Sequence, residues 1–441
     1  MRAEFSDGGA NGTAAGVTEA VAPAAPRHGR ASVAPKRRFL FVSAPFGPFA
    51  RELAVELRRR GADVTRVILN AGDALDWGVR DARPYFGASA DWADWLEHSV
   101  HDGDISDIVV YGDCSPHAAM ALERAQALGV RAHVLEQGYF RPDWITLERG
   151  GVNANSPLPR DPAWFRERAR TAPAQAIQVV GRTTPSAVVR IVAYHTALYL
   201  GAPLFRRYRA PYSEPAIKQG LGHAVRFARS HLSRERDRRS YDDMLDSGGR
   251  TFLLALQRPG DSQLWRHSDF RSVPELVDHV VASFAAGAPE DARLIVRPHP
   301  LDPGLVPHAR IVADAARRCG VGRRVRLVEY GKLHDLLPHV AGVVCVNSTA
   351  GLAAIEFGRP TITLGRAIYD MPGMTHQGEL DGFWREPAAP DPSLYTAFRR
   401  AVMAHTQVNG AYATARGRRL AVRETAERLL NGARPASDGP E

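Results

Sequence analysis

The sequence predicts an α/β protein with two Rossmann-like halves that face a crevice and a helical insert between them. Short apolar runs rich in β-branched residues alternate with helical patterns of about 10 to 15 residues, which is typical of a parallel sheet covered by helices. The pattern runs from about residue 36 to 160, stops, and restarts over 251–385. A length of 441 residues also favours two domains over one core.

The first half begins with the strand pattern RRFLFVSA, which the turn PFGPF separates from the helical pattern ARELAVELRRRGA. Further strand patterns follow in DVTRVIL, ISDIVVYGD and RAHVLEQG, and the helix PHAAMALERAQALG lies between the last two. We therefore predict an N-terminal Rossmann-like domain over residues 36–160.

The second half opens with the strand TFLLALQ and the helix VPELVDHVVASFAA, and strand patterns recur in ARLIVRPHP, RVRLVEY, AGVVCVNS and PTITLG. These predict a C-terminal Rossmann-like domain over 251–385. Residues 161–250 contain helical patterns such as SAVVRIVAYHTALYL without a strand signal, and are predicted to form a helical insert. We expect C-terminal helices and a tail over 386–441, and a disordered tail over the Ala-, Gly- and Pro-rich residues 1–35.

The net charge of +9 is concentrated in the insert. Residues 182–239 contain twelve Lys and Arg but three acidic residues, and the rest of the chain is balanced. A basic surface of this kind meets nucleic acid, an anionic membrane leaflet or an acidic substrate. No recognised nucleic-acid-binding module accompanies the charge, which disfavours nucleic acid. Arg206, Arg207 and Arg209 are the candidate membrane and acceptor contacts.

Several classes of protein are disfavoured by missing patterns. The sequence has neither an apolar run of about 18 residues nor the apolar block of a secretory signal, so we expect a cytoplasmic protein. Cys114, Cys319 and Cys345 form no C-x-x-C pair, which predicts neither a disulfide framework nor a thiolate metal site. The absence of G-x-x-x-x-G-K-[ST] and G-x-G-x-x-G at the first turns argues against an NTPase and a dinucleotide oxidoreductase.

Two carboxylates stand at the ends of predicted strands, where ligands collect in open α/β sheets. Glu136 ends the strand RAHVLEQG, although a lone strand-terminal Glu is as often a solvated turn residue. Asp261 follows a Pro-Gly turn in LQRPGDSQLW, where an Asp commonly satisfies its own backbone. The same motif supplies further candidate donor-binding residues: Gln257, Ser262 and Gln263.

A third strand end, LIVRPHP, carries Arg297, His299 and Pro300. Prolines on both sides of His299 restrict the backbone and fix the position of the imidazole, which suits a ligand contact. The structural alternative is a capping histidine in a rigid loop. We predict that Arg297, His299 and Pro300 bind the donor.

A fourth strand end, GVVCVNSTAGL, leads directly into a predicted helix. Unpaired N–H groups and the positive end of the dipole make a helix start an anion site. Ser348 or Thr349 is also suited to be the N-cap of that helix, a role compatible with phosphate binding. The candidate phosphate-binding residues here are Asn347, Ser348, Thr349 and Gly351.

Taken together, an anion site, a histidine with a neighbouring arginine, and two carboxylates across a crevice indicate transfer of a sugar from an activated nucleotide. The acidic residues are scattered and form no Asp/His metal cluster in the sequence. We therefore expect no metal and no cofactor, and a donor that releases a nucleoside monophosphate.

The motifs EQGYFRPDWITLERGGVN, LQ-x-x-GDSQ, HPLD, VNSTAGL and LGRAIYDMPGMTHQG resemble those of the capsular polysaccharide synthesis proteins, the KpsS-like β-Kdo glycosyltransferases that begin the Kdo linker of bacterial capsules. The resemblance runs from about Arg38 to Tyr412. It implies a GT-B-like fold, with an acceptor domain over 36–160 and a CMP-sugar domain over 251–385. It further implies CMP-Kdo as donor, a lysophospholipid such as lysophosphatidylglycerol as acceptor, capsule assembly proteins as partners, and a peripheral position at the inner face of the inner membrane.

The resemblance also implies roles for the two carboxylates. Glu136 matches the family's first acidic motif and Asp261 the acidic residue of its Gln-x-x-Gly-Asp turn, whereas Gln137 stands where relatives often have a second acid. β-Kdo transfer from a β-linked donor retains configuration, and retention by double displacement needs a nucleophile and an acid/base. We assign Asp261 as nucleophile and Glu136 as acid/base, and the two roles are exchangeable at this level.

For the donor phosphate, the resemblance assigns His299 with Pro300 to the family's His-Pro motif and Ser348 with Thr349 to its hydroxyl motif. Two other interpretations stay open. One is a GT-B transferase with another donor, such as CMP-sialic acid or a nucleotide heptose. The other is a non-catalytic scaffold of capsule assembly and export.

Overall fold

The computed structural model describes residues 36–173, 175–181, 184–210, 214–245 and 250–431. The predicted tail over 1–35, the last residues of the chain and Arg182 lie outside this description. So do the side chains of Ser262 and Gln263, two predicted donor contacts whose backbone is described.

Within the described residues, strands and helices alternate as the patterns predict. The strands are β1 Arg38–Phe41, β2 Asp63–Ile68, β3 Ala82–Pro84, β4 Asp107–Tyr111, β5 Arg131–Gln137, β6 Trp144–Arg149, β7 Thr251–Ala255, β8 Arg293–Arg297, β9 Val325–Leu327, β10 Gly342–Cys345, β11 Thr361–Thr363 and β12 Gln407–Asn409. The helices are α1 Phe49–Arg59, α2 Ala71–Trp77, α3 Trp92–Asp102, α4 Pro116–Ala127, α5 Pro162–Thr171, α6 Pro185–Leu200, α7 Ala216–Leu245, α8 Ser262–His267, α9 Val273–Gly287, α10 His308–Arg318, α11 Leu333–Leu336, α12 Thr349–Glu356, α13 Leu380–Phe383, α14 Pro392–Thr406 and α15 Ala415–Asn431.

The first sheet has the strand order β12-β6-β5-β4-β1-β2-β3. Strands β1 to β5 pair in parallel, whereas β6 runs antiparallel to β5 and β12 antiparallel to β6. Runs such as Phe39–Phe41 and Ile108–Val110 are fully buried, because helices cover both faces of a parallel sheet. The sequence patterns did not identify β6 or β12 as strands.

The second sheet is parallel throughout the described residues and has the order β11-β10-β7-β8-β9. In both sheets the first strand is central and the order reverses beside it, between β1 and β4 in one sheet and between β7 and β10 in the other. Such switch points open a crevice at the carboxyl ends of the strands. The structure therefore confirms the predicted fold class of two Rossmann-like halves.

Helices α5, α6 and α7 occupy the region predicted as the insert, and its described residues contain no strand. Helix α6 packs on α2, and the Tyr194 hydroxyl contacts Asn70 and Asp73 there. Phe205, just after α6, is buried in the core of the first half. Helix α7 lies along the loop that follows β8, which matters for the site.

The end of the chain returns to the first half. Helix α14 packs against α5, β12 joins the edge of the first sheet, and α15 packs on α1. We expected two helices here, and the structure adds a short strand between them. Among the described residues, none of the helices combines the length and apolar character needed to cross a membrane.

Candidate active site

A cavity of about 640 Å³ lies between the carboxyl ends of the two sheets. Its lining comes from the loops after β4 and β5 of the first sheet and after β7, β8 and β10 of the second. It brings together many of the residues predicted from strand ends: Glu136, Gln257, Asp261, His299, Asn347, Ser348 and Thr349.

Glu136 faces the cavity from the end of β5. The backbone N–H of Gln137 donates to its Oε1 at 2.9 Å, and the Tyr412 hydroxyl donates to its carbonyl oxygen at 3.0 Å. Burial raises the pKa of Glu136 to about 7, and the nearby charges of Asp113 and Asp261 act in the same direction. A carboxyl with a pKa near neutrality exchanges a proton readily, which suits general acid/base chemistry.

Asp261 reaches the same cavity from the opposite half. Gly260 has a φ of +77°, a conformation that favours glycine, and the Asp261 N–H donates to the Arg258 carbonyl at 3.0 Å to close the turn. The Asp261 charge helps to raise the pKa of Glu136, so the two carboxyls interact through the cavity. The predicted pair is therefore brought together.

The start of α12 forms the anion-binding edge of the second sheet. The Ser348 hydroxyl accepts a hydrogen bond from the Ala350 N–H at 3.1 Å and is the N-cap of this helix. The Gln257 amide donates to the Asn347 side-chain oxygen at 2.6 Å, which fixes the strand end beside the cap. The positive end of the helix dipole and the hydroxyls of Ser348 and Thr349 leave the helix start able to bind an anion.

His299 lies between Pro298 and Pro300 on the loop after β8. The Leu301 N–H donates to His299 Nδ1 at 3.0 Å, so the neutral ring carries its proton on Nε2. Burial lowers the pKa of His299, and Arg141 and Arg258 lower it further. A neutral imidazole with Nε2–H exposed to the cavity can donate a hydrogen bond to a phosphate oxygen.

A second cavity of about 490 Å³ adjoins the first and shares His299, Ser348 and Thr349 with it. Arg297 and Pro300 line this second cavity. The Arg297 guanidinium donates to the carbonyls of Tyr330, at 2.8 Å, and Gly331, so it also braces the loop after β9.

The position of Gly351 is explained by packing. A Cβ atom there would lie 2.5 Å from the Tyr369 hydroxyl and 2.7 Å from the Cys345 sulfur. The residue is buried in the first turn of α12 and lines neither cavity, although its neighbours Ala350 and Leu352 line the second one. Its predicted contact with the donor stays a prediction, whereas its structural role is evident.

Arg206, Arg207 and Arg209 are exposed on the segment that joins α6 to α7. Ala210, the next residue along the chain, lines the main cavity. The basic segment therefore lies at the mouth of the crevice, which is compatible with the predicted contact to an acceptor or membrane.

Arg226 of α7 is a residue that the sequence patterns did not single out. Its Nη1 donates to the carbonyl oxygens of His299, at 3.1 Å, and Asp302, at 2.5 Å, and its Nε donates to Glu329 at 2.9 Å. Arg226 thus holds the backbone of the loop that carries the candidate phosphate ligand. Asp302 is fixed in turn by His308, whose Nε2 lies 2.7 Å from Asp302 Oδ2.

Glu148, the third carboxylate of the motif that contains Glu136, is buried beside the cavity. It accepts hydrogen bonds from Tyr139, at 2.7 Å, and from Ser156. The Asn153 N–H donates to the Tyr139 hydroxyl at 2.8 Å, and both residues line the cavity. Glu148 therefore supports the cavity wall.

Asp113, Cys114 and His267 meet across the two halves. Among the described residues, these three side chains form the group whose atoms are close enough together to bind a metal ion. The Cys114 sulfur lies 3.6 Å from His267 Nε2. Arg366, which can only donate, contacts His267 Nδ1 at 3.3 Å, so the ring proton is on Nε2, the atom that would have to bind the metal. This geometry disfavours a metal here, and the expected absence of a metal stays a prediction.

The fold and the crevice define an α/β protein with two Rossmann-like halves, in which one carboxylate from each half faces the cavity and a helix start of the second half forms an anion-binding edge. The chain belongs to the capsule polysaccharide biosynthesis protein family, whose family model matches residues 106–412.

Two relatives extend over nearly the whole chain. The capsule polysaccharide export protein KpsS of Escherichia coli is 30% identical over 377 residues, which cover 85% of this chain and 97% of the relative. The capsule polysaccharide modification protein LipB of Neisseria meningitidis serogroup B is 32% identical over 390 residues, covering 85% and 91%. Among solved structures, the β-Kdo 2,7 transferase of Thermosulfurimonas dismutans KpsC has a TM-score of 0.44 at 13% identity, over 90% of this chain and 99% of that chain.

Proposed function

We propose that this protein is a retaining β-Kdo glycosyltransferase that transfers Kdo from CMP-Kdo to a lysophospholipid, lysophosphatidylglycerol, and so starts the linker of a capsular polysaccharide. The observation that carries the proposal is the meeting of Glu136 and Asp261, from opposite halves, in a cavity whose other edge is built to bind an anion. Membership of the capsule biosynthesis family supports the link to capsule synthesis.

In the proposed complex the CMP phosphate lies at the start of α12. The hydroxyls of Ser348 and Thr349 and the His299 Nε2–H are the side-chain donors near its oxygens, and the positive end of the α12 dipole favours its charge. The second cavity provides room for the nucleoside next to this point. The side chains present supply these contacts without a metal or cofactor.

The first chemical step is attack by Asp261 on the anomeric carbon of Kdo. A bond forms between a carboxylate oxygen and that carbon as the bond to the phosphate oxygen breaks, and CMP leaves with the electron pair. CMP leaves as a phosphate monoester dianion, which is a good leaving group because its second pKa is about 6, so this step needs no general acid. The product is a Kdo ester of Asp261 with inverted configuration.

The second step transfers Kdo to the acceptor. Glu136 accepts the proton of a glycerol hydroxyl while the oxygen of that hydroxyl attacks the anomeric carbon. The bond between the anomeric carbon and Asp261 breaks, and the Asp261 carboxylate is released. Two inversions give net retention. Because burial raises the pKa of Glu136 to about 7, the carboxylate is a stronger base here than an exposed glutamate.

We further propose that the protein works as a peripheral protein at the inner face of the inner membrane, where Arg206, Arg207 and Arg209 contact anionic lipids. Each basic residue near such a surface contributes about 1 kcal/mol. Reversing all three to Glu should release the protein from anionic vesicles, and binding by the unmodified protein should weaken as salt rises. Unchanged co-sedimentation of the reversed variant would contradict this assignment.

The test of the proposed function is direct. The purified protein is incubated with CMP-Kdo and lysophosphatidylglycerol, and the mass of the lipid product is measured by mass spectrometry. We expect a gain of one or more Kdo residues and release of CMP. CMP-sialic acid in a parallel reaction tests for another donor, and absence of donor turnover would favour the alternative of an export scaffold, which the name of the E. coli relative suggests.

A further inference from the structure

Helix α6 exposes apolar side chains on the face that does not pack on α2. Val188, Val189, Val192 and Leu200 are between 56% and 77% exposed. The opposite face is buried through Ala187 and Tyr194. Large side chains left in water along one face of a helix mark a contact site, since isolated proteins rarely expose contiguous apolar patches.

Helix α7 repeats this arrangement. Ile217, Leu221 and Val225 recur every four residues, as one face of a helix requires, and are 50% to 73% exposed. Gly222 and Arg226 belong to the opposite face, which packs against the loop after β8: a Cβ atom on Gly222 would lie 2.5 Å from the Pro303 carbonyl oxygen.

The two helices meet where α6 ends and α7 begins. The Ala216 N–H, at the start of α7, donates to the Tyr199 hydroxyl, at the end of α6, at 2.7 Å. Leu204, 66% exposed, lies on the connecting segment. We call the whole set the apolar insert surface: Val188, Val189, Val192, Leu200, Leu204, Ile217, Leu221, Val225 and Leu232.

The charges around this surface select its partner. Exposed arginines flank it along both helices and the connecting segment: Arg190, Arg206, Arg207, Arg209, Arg229 and Arg234. Two copies of this chain meeting face to face would bring these like charges together, at an electrostatic cost. A bilayer with anionic lipids takes up the apolar side chains and neutralises the arginines at the same time.

We infer that the apolar insert surface penetrates the interfacial region of an anionic bilayer, so that apolar burial supplements the electrostatic contact of the arginines. The sequence predicted only the charge contact, because helical spacing alone does not distinguish an exposed apolar face from a buried one.

This contact would orient the protein on the bilayer and so set the distance between the candidate site and a lipid acceptor. The surface lies on one side of α7, and Arg226 on the other side bonds to the loop of His299. A helix with its side chains is about 10 to 12 Å across, so the candidate site lies about that far from the bilayer. This step rests on the proposed function, since only a lipid acceptor needs such proximity.

The test compares Val188→Ser/Val192→Ser/Leu221→Ser with the unmodified protein in co-sedimentation with vesicles of phosphatidylcholine and phosphatidylglycerol. Loss of the apolar contacts at unchanged net charge should weaken binding by about 100-fold. The matched control is Val55→Ser: Val55 is 60% exposed on α1, outside the surface, and its replacement should leave binding unchanged. The far-UV circular dichroism spectrum and the urea denaturation midpoint report that each variant is folded.

Unchanged vesicle binding by a folded triple variant would overturn the inference. So would a dimer of the unmodified protein in analytical ultracentrifugation that the triple variant abolishes, because a second copy would then cover the surface. A protein that docks on vesicles through this surface but transfers no Kdo would contradict the proposed function alone.

Discussion

The two halves share a strand order but present different chemistry at the mouth of the crevice. At the end of β5, burial raises the pKa of Glu136 to about 7, although the hydrogen bond from the Gln137 N–H to the carboxylate acts in the opposite direction. At the end of β10, the chain enters α12 and presents hydroxyls and the positive end of the helix dipole. One edge is suited to moving protons, and the other to holding a phosphate.

Asp261 is the informative exception to this division. It belongs to the half that is suited to bind the donor, on the turn after β7, yet it is a carboxylate. In a displacement with inversion the nucleophile attacks the face of the anomeric carbon opposite the leaving phosphate, and the acceptor later approaches from the face that the phosphate has left. The half from which each carboxylate comes therefore does not decide between the two roles, and the assignment of Asp261 as nucleophile stays a prediction.

The largest effect should come from Asp261→Ala. Without the nucleophile, kcat should fall by about four orders of magnitude or more, while CMP affinity stays near that of the unmodified protein, because a nucleophile acts on the chemical step. Asp269→Ala removes an exposed carboxylate from the same region and serves as the control. Equal losses of kcat and CMP affinity would place Asp261 among the binding residues instead.

His299→Ala should act on binding. Loss of a hydrogen bond to a charged phosphate costs about 1.5 to 3 kcal/mol, or roughly 10- to 150-fold in CMP affinity. Calorimetry measures this, with the exposed His101→Ala as the control. CMP affinity equal to that of the unmodified protein in a folded His299 variant would remove this residue from the phosphate site.

Arg226→Met should weaken CMP binding by about tenfold, because it releases the loop that positions His299. In a His299→Ala background the same change should have little further effect, since the two act through one contact. Arg229→Met removes an exposed arginine of α7 and should leave the CMP affinity unchanged. Additive losses in the double variant would show that Arg226 acts through stability alone.

The smallest effect concerns stability. The pKa of Glu136 is raised from 4.5 to about 7 in the folded protein, so the folded state binds this proton more tightly than the unfolded state. The proton on Glu136 therefore contributes to the free energy of unfolding, and this contribution is complete below pH 4.5 and is lost as the pH rises through about 7. Glu136→Gln carries no such titration, so its free energy of unfolding relative to the unmodified protein should rise between about pH 5 and 8, by on the order of 1 kcal/mol. A pH-independent difference in urea denaturation would contradict the raised pKa.

Much of the site could be predicted because its chemistry is local in sequence. Glu136, His299 and Ser348 each stand where an apolar run ends, and parallel strands bring their carboxyl ends to one edge. The pattern did not predict strand β6 because this strand lies within the motif EQGYFRPDWITLERGGVN, whose polar residues indicate a site and not a strand. The strand β12 has three residues, and pairing with β6 defines it.

Other features depend on contacts between distant parts of the chain. Arg226 is one of many arginines in the insert, and its bonds to the His299 loop span more than 70 residues. Asp113 and His267 meet only when the two halves assemble. The valines of α6 have the spacing of a buried face, and only the structure shows them exposed.

The central claim is that Asp261 and Glu136 divide the two steps of a double displacement. Glu136→Gln leaves the acceptor hydroxyl unactivated, whereas attack by Asp261 on CMP-Kdo needs no base. The intact mass of this variant after incubation with CMP-Kdo should therefore increase by one Kdo, and peptide mapping should locate the adduct on Asp261. A Kdo adduct on Glu136 in an Asp261 variant would reverse the two roles, and Asp261→Ala that transfers Kdo at the rate of the unmodified protein would contradict double displacement.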